Sequence, residues 1–337
     1  MIITRSTGNE LKKKYGFVWV KNMGRNNLVC LRLVASNQII NIKLIKVLVY
    51  LNLKQTGLKL NDHNMTKKIC TIFLLFFSAL LSCQRVPVTG RKQLNLVPNA
   101  LIQSMAFTQY DSLLTVTRVL PASNYQTQMV KTVGGKIQKA VEEYMLQNNL
   151  SSQIKNFKWE YNLVDEAAVN AWCMPGGKVM VYTGLLPITQ NENALAVVMG
   201  HEIAHAIARH GNERMSEGLL IQLGGLVLEE ALKDKKQETQ LLFLSLYVVG
   251  SNLALALPNS RMQESEADNL GLIFMSMAGY DPSEAIPFWQ RMSNANTGLK
   301  LPEFLSTHPS DETRIKKLST LIPEIKAKYF LQNSADK

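Results

Sequence analysis

At 337 residues, with 46% apolar and 19% charged side chains, the chain has the composition of a folded globular protein and is too apolar to be a disordered one. Its formal charge of +11 invites a nucleic-acid partner, yet residues 1–64 hold 11 basic and 2 acidic side chains whereas residues 84–337 hold 24 of each. The basicity belongs to a leader, so the net charge of the rest gives no long-range pull toward nucleic acid or an anionic membrane.

Within that leader, Lys67 and Lys68 precede the uncharged stretch 69–82, the layout of a secretory signal peptide at 65–82 and too short to span a bilayer. The stretch ends Leu80-Leu81-Ser82-Cys83, which resembles the bacterial lipobox. That resemblance implies lipid on Cys83 and attachment to a membrane by acyl chains, each buried methylene contributing about 0.8 kcal/mol. An ordinary cleavable signal or an N-terminal membrane anchor is the alternative. Residues 1–64 are then expected to be an upstream extension outside the mature protein. Gln84, by the bacterial sorting rule, implies the outer membrane of the cell envelope; the fold is expected to face the periplasm, though the rule itself leaves the facing open. Only Cys173 remains after Cys83, so no internal disulfide is available, and Cys173 is expected to be a small buried residue.

Residues 83–97 carry Pro, Gly and polar side chains without a helical period and read as an extended tether ahead of a domain at 98–332. Three-and-four spacing of apolar residues predicts helices over 99–120 and 126–147, the second through Met129, Val130, Val133, Ile137, Val141 and Met145. Residues 157–164, 168–174 and 178–182 read as strands, the last two joined across Pro175-Gly176-Gly177. Helices follow at 193–209, 214–232, 238–257, 260–277 and 282–293, giving an α+β fold that is predominantly helical. Residues 240–257 carry no charge, but Gln240, Ser245, Gly250, Ser251 and Asn252 within them favour a buried helix over a membrane span.

The chemistry begins at His201-Glu202-Ile203-Ala204-His205. Residues four apart share a helix face, so two imidazoles can hold one Zn²⁺ per chain while Glu202 stands beside them as general base. A catalytic zinc needs a third protein ligand and keeps one position for water. Glu264 is the best candidate, because Asp268 follows on the same face and can accept an N–H from a zinc-binding histidine. Glu266 points about 200° away on that helix. The same acidic cluster also fits a solvated helix face. His210, five residues past His205 and about 140° round a continuous helix, reads as structural.

Four blocks carry a family resemblance. They are Asn170-Ala171-Trp172-Cys173-Met174-Pro175-Gly176-Gly177 with Val181-Tyr182-Thr183-Gly184-Leu185-Leu186; the run 201–210; Leu257-Pro258-Asn259-Ser260-Arg261 through Asp268; and Thr307-His308-Pro309-Ser310 with Arg314. Together they resemble the metallopeptidase family of the HtpX and CaaX prenyl proteases, and most of all its small BepA-like lipoprotein members. The resemblance implies a gluzincin fold, Glu264 as third metal ligand and Asp268 behind it. It implies that His308 either donates to the oxyanion or fills the open zinc position in a resting form, and that Arg314 supports it or meets substrate. It also implies a strand at Lys178, Val179, Met180 and Val181 on which an extended substrate is laid. Unfolded or misassembled envelope proteins are the substrates it suggests.

The mechanism expected from these residues has Glu202 taking a proton from water, with the metal polarising a peptide carbonyl, and returning it to the leaving amine. A zinc-stabilised chaperone-like binder would not need Glu202. An aminopeptidase would need an acidic site for the substrate amine, and no motif clearly supplies one. The oligomeric state is left open by the sequence.

Overall fold

Residues 83–97 fold back on themselves where an extended tether was expected: β3 (Cys83–Arg85) pairs antiparallel with β4 (Lys92–Leu94). Val86, which follows β3, is buried in the core, so an apolar side chain in an otherwise polar segment anchors the hairpin. The protein is described by a computed structural model over residues 17–21, 28–32, 83–86, 88–252, 256–295, 303–308 and 312–331. It divides into two units, Met1–Phe77 and Ser78–Lys337. In the first, β1 (Phe17–Lys21) and β2 (Leu28–Arg32) form an antiparallel pair. The expected signal peptide at 65–82 and most of the expected upstream extension at 1–64 lie outside the described residues.

In the second unit, α1 (Asn99–Val116) is followed by α2 (Tyr125–Gln147), whose first turn is closed by Asn124: its side chain accepts from the amides of Gln126 at 2.8 Å and Thr127 at 3.2 Å. Val130, Val133, Ile137 and Val141 lie buried on one face of α2, as their spacing requires.

The small sheet comprises β5 (Glu160–Val164), β6 (Ala171–Met174) and β7 (Lys178–Tyr182) in the order β5-β7-β6. Gly176 and Gly177, at φ 97° and 88°, make the β6–β7 turn in backbone that other residues rarely adopt. This order corrects the substrate-strand expectation. β7 is central, parallel to β5 on one side and antiparallel to β6 on the other, so Lys178, Val179, Met180 and Val181 have no free edge to offer. Lys178 instead pairs with Glu160 across the sheet at 2.7 Å. β5 and β6 are the edges of this sheet; β5 takes a bridge from Val119 to Val164 and a bond from the Leu120 amide to the Leu163 carbonyl, whereas no described strand pairs with the outer edge of β6, and Cys173 on it is half-buried.

After α3 (Leu186–Thr189) comes α4 (Glu192–Ile207), capped by Asn191, which accepts from the Ala194 amide at 2.9 Å. Nearly every side chain of α4 is buried, and it forms the axis on which α2, β6 and α7 (Leu257–Met277) pack. Gly200 and Gly271 face each other where α4 and α7 cross: a Cβ on Gly271 would stand 2.8 Å from the His201 amide nitrogen, and one on Gly200 2.9 Å from the Gly271 carbonyl. The two backbones therefore touch, which sets α7's acidic residues against α4's histidines.

Between these helices, α5 (His210–Leu232) and α6 (Gln237–Ser251) form a hairpin held by the Tyr247 hydroxyl, which donates to the Ile221 carbonyl at 3.0 Å. The buried helix expected at 240–257 is corrected here: no residue of α6 is buried, and Leu241, Leu242, Leu246 and Val249 are exposed. A charge-free run tells that a helix tolerates an apolar setting, not that one exists for it. No helix among the described residues is long and apolar enough to cross a membrane. The chain closes with α8 (Ala285–Asn294), α9 (Glu303–Thr307) and α10 (Glu312–Ile325), of which α10 packs against α7 and α8.

Candidate metal centre

Three segments distant in sequence converge at the α4–α7 crossing. From α4 come His201 and His205, whose Nε2 atoms lie 3.0 Å apart. From α7 comes Glu264, with Oε2 3.2 Å from His201 Nε2 and Oε1 3.3 Å from His205 Nε2. From the end of α9 comes His308, whose Nδ1 is 3.2 Å from His201 Nε2 and 2.8 Å from Glu264 Oε2. One donor atom from each of the four falls within 4.8 Å of all the others, and all four residues are buried.

The donor set fits zinc. Ligands at about 2.0–2.1 Å from a tetrahedral ion stand roughly 3.3 Å from one another, and imidazole with carboxylate is a usual zinc-binding combination. Burial holds His205 well below the ordinary histidine range, so it is neutral, as a ligand must be. Burial lowers His201 too, but its contacts with Asp268 and Glu264 outweigh that and lift it to about 9. A proton and a metal therefore compete for His201.

Glu202 stands beside the set. Burial raises its carboxyl above the usual range, and its Oε1 makes no hydrogen bond among the described residues, with His308 Nε2 at 3.4 Å outside bonding geometry. A buried carboxylate oxygen without a partner is costly. It is placed where a general base needs free lone pairs.

Behind the donors are two further carboxylates. Asp268 Oδ1 lies 3.0 Å from His201 Nδ1, and Arg314 clasps Asp268 with Nε at 2.9 Å and Nη2 at 2.6 Å. Burial alone would raise Asp268, but the Arg314 guanidinium and His201 bring it down to about 2. Arg314 in turn lies over the Trp289 ring, 3.5 Å from its centroid. Glu266, as its helix angle indicated, points away from the donors. It is buried nonetheless, bound to His210 Nε2 at 3.0 Å, to Arg91 Nε at 3.0 Å and to the Thr89 hydroxyl. Arg91 also makes a fork of two 2.7 Å bonds to Glu213, which accepts from Gln263 at 2.8 Å.

The sequence reading therefore named residues that the fold does bring together: His201, Glu202, His205, Glu264, Asp268, His308 and Arg314. It missed Arg91, Glu213, Gln263 and Trp289, none of which stands at a spacing that marks it. It also misplaced His210. Arg209, at φ 60°, breaks α4 from α5, so the 140° of a continuous helix does not apply and His210 Nδ1 comes to 2.8 Å from His205 Nδ1.

A mostly helical domain with this cluster beside the HExxH glutamate defines a zinc metalloendopeptidase. Residues 133–322 match the description Peptidase family M48, and the chain belongs to that family. It is similar to the mitochondrial metalloendopeptidase OMA1 of Saccharomyces cerevisiae, 31% identical over 282 residues covering 80% of this chain and 77% of the relative. The protein of the same description from Schizosaccharomyces pombe is 32% identical over 246 residues, 72% of this chain and 67% of the relative. The beta-barrel assembly-enhancing protease of Yersinia pestis is 28% identical over 165 residues, 47% of this chain and 33% of the relative.

These relatives move the resemblance toward the OMA1 branch and away from the HtpX and CaaX prenyl proteases. They also overturn the expected bacterial outer-membrane destination, because the relatives that match most of the chain are mitochondrial proteins. The lipobox pattern is a short stretch of apolar and small residues before a cysteine, which other leaders can carry.

Proposed function

We propose that this metalloendopeptidase serves protein quality control, cutting unfolded or misassembled proteins that it holds as an extended strand along the free edge of β6. The observation that carries the reading is the unpartnered Glu202 oxygen beside the four-donor cluster. β6 packs against α4, so a strand added to its outer edge runs past the histidines, and backbone pairing makes little demand on sequence. Bound zinc supplies Lewis-acid polarisation of the scissile carbonyl and of water. His201, His205 and Glu264 hold it. Glu202 takes the proton from water and delivers it to the leaving nitrogen.

His308 has two roles open to it. Its Nδ1 belongs to the donor cluster, which supports a resting form with the fourth position filled; its nearness to Glu202 supports a donor to the developing oxyanion. Removal distinguishes them, since His308→Ala raises cleavage in the first case and lowers it in the second. Arg314 acts through Asp268, holding it against His201.

The central experiment compares the wild-type chain with Glu202→Gln for zinc content and casein cleavage, with chelator removal and zinc add-back. Zinc in both and cleavage only in the wild type is expected. Cleavage by Glu202→Gln at wild-type rate would remove the base from the mechanism, and zinc without cleavage in either protein would favour a binding role.

A further inference from the structure

Each metal-facing imidazole has a second nitrogen, and the two histidines dispose of theirs differently. His201 gives Nδ1–H straight to Asp268. With His205 Nε2 turned to the metal, its proton sits on Nδ1 and must be donated, and among the described residues the atom offered is His210 Nδ1 at 2.8 Å. His210 Nδ1 is then an acceptor, so the proton of His210 sits on Nε2, where Glu266 accepts it at 3.0 Å. Glu266 is oriented by Arg91 and Thr89, and Arg91 by its fork to Glu213. Each link fixes the tautomer of the one before it. His210 and Glu266 are both buried, so water does not replace either partner freely.

We propose that His210 is a positioning residue of the zinc centre: together with Glu266 and Arg91 it fixes the tautomer and orientation of His205, so that the β3–β4 hairpin ahead of the domain completes the metal site. Two independent features of the fold serve this arrangement. Arg209 adopts left-handed backbone, uncommon for a non-glycine residue, and this turn carries His210 back beside His205. The hairpin then supplies, in Arg91, the cation that holds the buried Glu266 carboxylate at 3.0 Å. Outer partners of a metal-bound histidine affect metal affinity by about 10- to 100-fold, so the effect is measurable on binding alone.

The test rests on the zinc reading of the centre and is read on affinity. The full chain, stripped of metal, is titrated with zinc against a chromophoric chelator as wild type, His210→Leu, His210→Asn and Arg91→Met, and the melting temperature of each metal-free protein is recorded. Asn places an acceptor oxygen where His210 Nδ1 stands; Leu places none. The expected result is a loss of about 10- to 100-fold in zinc affinity for His210→Leu, recovery of most of it in His210→Asn, and a smaller loss for Arg91→Met. The metal-free melting temperatures of the two His210 variants should agree, since a role confined to packing would separate them there and not in zinc affinity. His210→Leu binding zinc within twofold of wild type overturns the proposal, as does His210→Asn falling as far as His210→Leu. Should His210→Leu fail to fold, Arg91→Met decides, and unchanged affinity there overturns it. Absence of zinc binding by the wild type would overturn the zinc reading itself.

Discussion

Asp268 touches His201 directly and is clasped by Arg314 from α10, whereas Glu266 reaches His205 only through His210 and is clasped by Arg91 from the β3–β4 hairpin. Both carboxylates leave the same helix, two residues apart, and each ends on an arginine. They differ in what surrounds the arginine. Arg314 is buried and covered by Trp289, while the Arg91 side chain keeps 17% of its surface in water. Water near the end of a charge chain compensates a lost partner, and a sealed pair has no such relief. The direct arm is therefore the more fragile when one member is removed, and the relayed arm is the one that can be adjusted from outside the domain core.

Asp268→Ala should have the largest effect, because it removes the carboxylate that makes the shortest contacts with the buried Arg314 guanidinium, at 2.6 and 2.9 Å. A loss of about 3–5 kcal/mol in denaturant unfolding of the metal-free protein is expected. A loss below about 1 kcal/mol would mean that Arg314 finds another partner and that the two arms are less different than they look.

Gly271→Ala comes next and strikes both arms together. Its methyl would meet the His201 amide nitrogen at 2.8 Å, so α7 must move away from α4, carrying Glu264, Glu266 and Asp268 with it. About 1–3 kcal/mol of stability should go, with zinc stoichiometry falling well below the wild-type value. Full zinc occupancy in this variant would show that the helix contact is not what sets the donor spacing.

Arg91→Lys should give the smallest of the three. It keeps the charge but cannot make a fork to Glu213 and still reach Glu266. About 1 kcal/mol is expected in unfolding. Combined with Asp268→Ala it should come close to additive in the metal-free protein, since Arg91 and Asp268 bind different side chains; a clear departure from additivity would show that the arms communicate through α7 or through Glu264, which meets both His201 and His205.

Much of the site is legible in local spacing alone. His201 and His205 stand four apart in a helix, and Glu264 and Asp268 repeat that interval, so a local period of 3.6 residues is enough to put ligand beside ligand and carboxylate behind. His308 and Arg314 are legible only through resemblance, because nothing in their own neighbourhood marks them. Glu266 shows the limit of a helix angle: its direction follows from the period, but its burial against Arg91 does not. The same limit explains α6, whose uncharged run suggests a covered helix where the fold leaves it exposed.

The sequence by itself determined the elements whose information is local: the helix periods, the β6–β7 turn and the HExxH face. Tertiary structure decided whatever depends on a partner far along the chain. That covers which strand is central, since the parallel β5–β7 pairing forms without a turn of its own. It covers the approach of α4 and α7 through two glycines 71 positions apart, which no spacing rule connects. It covers His210 as well, where one left-handed residue at Arg209 ends the helix on which the 140° inference relied. The physical reason is common to all three. A helix or turn is fixed by hydrogen bonds within a few residues, whereas a clasp such as Arg91 with Glu213 and Glu266 exists only once the core has brought its members within reach.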